Sequence, residues 1–210
     1  MPNFLLNIHN SYHFDSDAKA FSILIAELQK KYEKVKTKKV PLSEFELIKT
    51  RYKVQIGRRI GLKNQSHHNC ELLEVHYGFN YNQVSTYEMG KTISEFRTYP
   101  FFVFQHNTDL GHVIIRPETA GDKISELFNS IDIDFKKHKK FSFKYFVTSE
   151  NSEKVRANMP DELLLYLKNV KGVSIELIDG FGLICNNKTI SNDNGLTLSQ
   201  IAFDIKEILK

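Results

Sequence analysis

The run NQSHHNCELLEVHYGFNY, residues 64–81, decides how the rest of the chain is read. It brings together His67, His68, Cys70 and His76, and so poses a choice between a metal or catalytic cluster and a histidine-rich strand. From Cys70 onward, Leu73, Val75, Tyr77, Phe79 and Tyr81 alternate with Cys70, Leu72, Glu74, His76 and Gly78. A period of two places one continuous apolar set on a core and a mixed set opposite it. On such a strand Cys70 and His76 stand about 20 Å apart, too far to ligate one ion. The spacing therefore predicts a strand, with His67 and His68 in the polar turn that precedes it.

Working outward, KTISEFRTYPFFVFQH (91–106) and GHVIIRPE (111–118) read as further strands joined by a hairpin turn at NTDLG. From Ile48 to Ile56 apolar residues alternate with basic ones, which predicts a half-exposed strand with a basic outer face, with Gly57 and Gly61 flanking a turn. IDIDF and FSFKYFVT (131–135 and 141–148) read as strand-like around a basic loop, KKHKK, and VSIELIDGFGLICNN (173–187) as a hairpin turning at Asp179-Gly180. Helical spacing marks residues 14–36, with Phe21, Leu24, Leu28 and Tyr32 on one stripe. Short helices are expected over 119–130 and, in two pieces broken at Pro160, over 151–172. A closing helix is expected behind a Thr197–Gln200 capping box. This order of elements gives an α+β class: a mainly antiparallel sheet with helices packed on one face and amphipathic helices toward both ends. Residues 1–44 would form an N-terminal helix and connector, and 45–210 a single α+β domain.

The 210 residues, 41% hydrophobic and 26% charged, match a globular protein with a core of its own. Two cysteines, Cys70 and Cys185, cannot build a disulfide framework and fit a reducing compartment. The start lacks the basic and apolar regions of a secretory leader, and no stretch is apolar enough to span a bilayer. The expected location is cytoplasmic, peripheral to a membrane at most.

The net charge of +4 is unevenly placed. Residues 30–63 carry twelve Lys or Arg against three acids, so the remainder is acidic. Lys49, Arg51, Lys53, Arg58 and Arg59, with Tyr52 among them, form one candidate anion-binding surface. Lys136, Lys137, Lys139 and Lys140 form a second.

Catalytic signatures are thin. No G-x-S-x-G elbow and no phosphate-binding glycine loop occurs, and no cofactor is implied. His106 and His112 could meet across the expected hairpin, but a two-histidine pair is an incomplete metal set, and no metal is expected. For a hydrolase, the participants would be His76 with Glu74 and the pair Asp132 and Asp134.

Several segments resemble a bacterial family of uncharacterised, often membrane-associated proteins. The likeness runs over about residues 45–190. It is carried by Phe45 to Leu47, ELLEVHYGFNY, VIIRPE, IDIDFKKHKKFSFKYFV leading into SEKVRANMPDELLLYL, and VSIELIDGFGLI. The resemblance implies a shared fold and contact with a membrane; it supplies no catalytic residues. In place of that family's N-terminal hydrophobic segment, this chain has an amphipathic helix.

The expected function is thus a non-enzymatic binding module whose basic surface meets an anionic partner, a membrane surface or a protein. Nucleic-acid binding is the first alternative, because cations and an aromatic lie together at 49–59. A hydrolase of unknown substrate is the second. Exposed sheet edges would also suit a homodimer.

Overall fold

Two fifteen-residue strands form the spine of the protein: β3 (Asn69–Gln83) and β4 (Lys91–Gln105), antiparallel with Cys70 opposite Phe104 and His76 opposite Thr98. A computed structural model describes residues 11–37, 39–51, 53–83, 91–118 and 132–210, with the side chains of 11–14 and 79–95 left aside. Six further strands complete one sheet: β1 (Glu33–Val35), β2 (Gln55–Lys63), β5 (Val113–Pro117), β6 (Tyr145–Ser149), β7 (Val173–Ile178) and β8 (Phe181–Asn186). Their order is β1-β2-β3-β4-β8-β7-β5-β6, with every neighbour antiparallel. The α+β class follows directly.

Both faces of the sheet are covered. On the first, Leu72, Phe102, Val113, Val147, Ile175 and Ile184 meet the apolar sides of four helices. These are α1 (Ser11–Lys31), α4 (Ser152–Asn158), α5 (Asp161–Leu167) and α6 (Asn192–Ile208). Phe21, Leu24 and Leu28 of α1 are wholly buried there, and α1 lies against α6, with Tyr32 stacked on Phe203 at 4.5 Å. The opposite face carries Leu73, Val75, Tyr77, Phe101, Val103 and Leu183. Its cover is the segment around the one-turn helix α2 (Glu46–Lys49), through Phe45 and Ile48. Another one-turn helix, α3 (Lys139–Ser142), precedes β6. The long helices do share one face, as expected, while an irregular segment seals the other.

Several local expectations are corrected. Residues 48–54 do not form a strand: α2 occupies Glu46–Lys49, and β2 starts only at Gln55. Glu176 explains this, since its fully buried carboxylate on β7 accepts the backbone N–H of Glu46 at 2.7 Å and of Leu47 at 2.8 Å, which fixes a helical first turn. Gly57 and Gly61 lie inside β2 rather than at a turn, and the pairing with β3 is irregular between Ile56 and Arg59. A Cβ at Gly61 would sit 2.5 Å from the Val35 carbonyl, so the glycine permits β1 to pair there. Helix α1 ends at Lys31, and residues 33–35 cross over to become β1.

The turn at NTDLG makes no hairpin. β8 and β7 lie between β4 and β5, so residues 106–112 carry the chain past two strands. Residues 132–135 are irregular, and KKHKK is a 3₁₀ turn running into α3 rather than a loop between strands. Helix α6 begins at Asn192, five residues ahead of the expected box, because Ser191 accepts the Asn194 N–H. The hairpin at 173–186 turns as read, with both Asp179 (φ 48°) and Gly180 (φ 78°) in the left-handed region a tight turn demands. The helix expected over 119–130 lies outside the described residues.

Where α1 crosses α6, Gly195 permits close approach: a Cβ there would come 2.2 Å from Leu24 Cδ2 and 2.9 Å from its Cγ. A helical Gly→Ala change ordinarily stabilises by about 0.5–1 kcal/mol. Gly195→Ala should instead destabilise by about 1–3 kcal/mol through overpacking, with most of that loss absent in a Leu24→Ala background. Urea unfolding of the four proteins measures the coupling. Simple stabilisation by Gly195→Ala would show that the helices do not meet at this residue.

Candidate anion-binding surface

The basic residues of 49–59 do not form one face. Lys49 pairs with Glu46 at 2.8 Å on the exposed side of α2, and that hydrogen bond raises the lysine above its usual range. Arg51 lies over the Tyr77 ring, 4.8 Å from its centre, and donates to the Leu47 carbonyl and the Asn187 side chain. Lys53 is exposed in the connector to β2, at φ 48°. Tyr52 lies outside the described residues. On β2, Arg58 and Arg59 turn to opposite faces of the sheet, Arg58 reaching Glu74 at 2.8 Å and Arg59 reaching Glu71 at 2.6 Å. Lys63 pairs with Glu33 across β1–β2. Five of the twelve cations in this run, counting Lys30 on Glu27, are thereby held by carboxylates of the same chain.

Arg58 is the most committed of these. Its side chain donates to both Glu74 oxygens, to Ser22 Oγ and to the Ala18 carbonyl, and lies 4.6 Å from the centre of the Phe21 ring. It joins α1 to the sheet. Beside it, His76 Nδ1 lies 2.9 Å from Thr98 Oγ1, and the Thr98 N–H donates to the buried Asp17 carboxylate at 2.9 Å. The geometry accounts for this cluster of Asp17, Arg58, Glu74, His76 and Thr98. β8 pairs β4 only over residues 102–105, so the edge of β4 at Thr98 is bare. Asp17 takes its N–H, and the Ile190 N–H reaches its carbonyl.

Glu74 and His76 thus lie together in a hydrogen-bonded network with Arg58, Thr98 and Asp17 rather than in an open cleft. A Cβ on Gly57 would come 2.8 Å from both Glu74 Oε2 and His76 Nε2. Of the other hydrolase candidates, Asp132 accepts the Val147 N–H at 2.6 Å and Asp134 is exposed; they lie on no shared strand. His112 is bound to Glu176 at 2.8 Å. Among the described residues no three His, Cys, Asp or Glu side chains converge in a way that could hold a metal ion. Cys70 and Cys185 are buried and free, their thiols pushed up by burial, Cys185 to about 12.

The second basic group is differently arranged. Lys136, Lys137, Lys139 and Lys140 sit on a 3₁₀ turn and α3, all largely exposed, and line two adjoining hollows. Lys136 and Lys139 border both. Leu165 and Lys168 border one, and Phe143 the other. Helix geometry sends Phe141 into the core at 0% exposure and Phe143 outward at 74%. A strand over FSFKYFVT, as the sequence suggests, would instead put both rings on one side. Leu165 is 45% exposed beside them, and neither it nor Phe143 carries a sequence signal for exposure. The anchor is His138, whose Nε2 lies 2.9 Å from Asp161 at the start of α5. Nearby, burial and then the charge of Lys171 lower the Lys144 ammonium, which donates to the Lys168 carbonyl. The result is a mainly cationic rim, with Glu118 and Asp134 on the Phe143 side, around exposed apolar side chains.

The Glu74 network sets a pH dependence. Burial raises the Glu74 carboxyl, but hydrogen bonds from Arg58 outweigh it and hold the group below its ordinary value. A depressed carboxyl contributes stability above its unfolded pKa and loses it as pH falls through the folded value. His76, lowered by burial, acts in the same sense: the unfolded state takes up more protons as pH falls below the ordinary histidine value. Stability should therefore decline from neutral pH downward. Arg58→Ala should cost about 1–3 kcal/mol at pH 7 by stranding a buried carboxylate, and should shrink that loss toward mild acid because Glu74 then favours its protonated form. Urea midpoints across pH measure both, and an unchanged pH slope in Arg58→Ala would show that the pair does not control it. In comparisons with known proteins, no family model, no curated protein and no solved structure matches this chain.

Proposed function

We propose that the protein is a non-enzymatic binding module that docks on an anionic membrane surface through residues 136–143, with Leu165 and Lys168 completing the patch. The observation that carries this reading is Phe143, 74% exposed beside Lys136 and Lys139. A solvated aromatic flanked by Lys136 and Lys139, with Glu118 and Asp134 on the same hollow, suits the boundary between lipid headgroups and acyl chains. Each lysine near an anionic surface contributes about 1 kcal/mol, and an inserted Phe about 1.5–3 kcal/mol. Together these suffice for reversible attachment. No helix of the described residues is long and apolar enough to cross a membrane, so attachment would be peripheral. The earlier basic run, 49–59, is not part of this surface: Lys49, Arg58 and Arg59 pair with Glu46, Glu74 and Glu71, and Arg51 lies over Tyr77.

The test is co-sedimentation with vesicles of phosphatidylcholine, with and without phosphatidylserine, at low and high salt. The protein should pellet with the anionic vesicles only, and less at high salt. Replacing Lys136, Lys137, Lys139 and Lys140 by Ser should weaken partition on the order of a hundredfold or more, and Phe143→Ser alone about tenfold. Both changes lie on exposed side chains, so the fold is retained. Displacement of the vesicles by single-stranded RNA would transfer the surface to nucleic acid. Equal partition of the quadruple variant would overturn the assignment.

A further inference from the structure

The pair His67 and His68 is used neither by the buried network nor by the basic rim. Both line a cavity of about 340 Å³ at the opposite end of the sheet from Thr98, where the turn before β3, the last residues of β4 and the last turn of α6 meet. This volume is at the lower end of the roughly 300–1,000 Å³ typical of small-molecule sites.

Three cations border the cavity: Lys36 after β1, and Lys206 and Lys210 at the end of α6. Lys206 is anchored on the Gln105 carbonyl at 2.7 Å. The one carboxylate in the lining, Glu71, is already paired with Arg59. The carbonyl of Leu209, at the helix end, is taken by the Asn107 N–H. Lys210 is held by Glu207 at 3.1 Å from outside the lining, so the lining itself sets three lysines against the paired Glu71.

Its walls also hold polar atoms without partners among the described residues. These are His68 Nδ1, Asn69 Oδ1 and both ring nitrogens of His106, a residue 8% exposed. The backbone at Phe181 and Thr108 approaches the His106 ring and partly offsets the lowering of its pKa by burial, but neither nitrogen completes a hydrogen bond. Buried polar atoms in native proteins are overwhelmingly hydrogen-bonded, so four of them around one hollow call for a partner. His68 is likewise lowered, first by burial and then by Lys210, with Glu207 opposing and Lys206 adding to the effect. The turn is held rather than loose: Asn64 Oδ1 accepts the His68 N–H at 2.8 Å, and the Asn64 carbonyl accepts the His67 N–H at 3.0 Å. His67 occupies the left-handed region at φ 61°, uncommon for a non-glycine residue.

We propose that this cavity binds a small hydroxylated anion of the sugar-phosphate class, with the anionic group set among Lys36, Lys206 and Lys210. The hydroxyls of the ligand face the histidines and Asn69. The amide oxygen of Asn69 can only accept, so it requires a hydroxyl donor and not a second anionic oxygen. The imidazoles of His68 and His106 can take either role, according to tautomer. The site shares no residue with the 136–143 patch, so it stands or falls independently of membrane docking.

The probes are glycerol phosphate and inorganic phosphate, titrated into the full chain while the imidazole NMR signals are followed. His68→Gln and His106→Gln supply the assignments. Glycerol phosphate should shift the His68 and His106 signals saturably and bind at least about fivefold more tightly than inorganic phosphate, the value of one added hydrogen bond. Lys36→Ser with Lys210→Ser, both exposed, should weaken binding by about five- to tenfold. Asn69→Ala should remove the preference for glycerol phosphate over phosphate. Shifts no larger than those from chloride at equal ionic strength, or an affinity unchanged by the paired lysine variants, would overturn the proposal.

Discussion

A carboxylate at 0% exposure, Glu176 in the middle of β7, decides what covers the second face of the sheet. Removing a carboxyl group from water is costly unless donors replace the water. Three do so here: the first two amides of α2 and the imidazole of His112. Satisfying Glu176 thus fixes the segment that carries Phe45 and Ile48, and these in turn cover Leu73, Val75 and Val103. Asp17 and Glu74 repeat the device on the first face, where they join α1 to the bare part of β4 and to β2. The regular elements are ordinary amphipathic strands and helices. What joins them to irregular backbone is a set of buried acids.

This also explains what was legible in the sequence. Strands β3, β4 and β5, the β7–β8 hairpin, and helices α1, α4 and α5 follow from period and turn chemistry, because each buries a stripe set by local spacing. The segment at 46–54 does not follow. Its alternation of Ile48, Thr50, Val54 and Ile56 with cations fits a strand, and the group that overrides it is more than a hundred positions away in β7. The same limit applies to the neighbours of β4. A short loop to β5 favours a hairpin, yet the β7–β8 unit takes the place beside β4, a choice written in no local residue. Phe141 and Phe143 would share a face in a strand but stand about 200° apart on a helix, and that separates a core ring from an exposed one.

The candidate surfaces were legible as charge but not as availability. Counting cations favours residues 30–63, where carboxylates from β1, β3 and the helices draw in many of them. Such pairs add little to stability where exposed and matter more where a partner is buried, as with Glu74. The smaller group at 136–140 keeps its lysines outward, and Asp161 beside it is met by His138. Net charge along a sequence is therefore a poor guide to surface potential when the opposite charges come from distant strands.

Helices α1 and α6 pack on each other although about 160 positions separate them, with Lys31 reaching Gln200 and Tyr32 reaching Phe203. During vectorial synthesis the apolar stripe of α1 emerges early, while its partner is still unmade. Neither β3 and β4 beneath it nor α6 beside it can cover Phe21, Leu24 and Leu28 until those later segments leave the ribosome. Such high contact order makes closure of the first face a late event, and it leaves a sticky helix available to chaperones through most of translation.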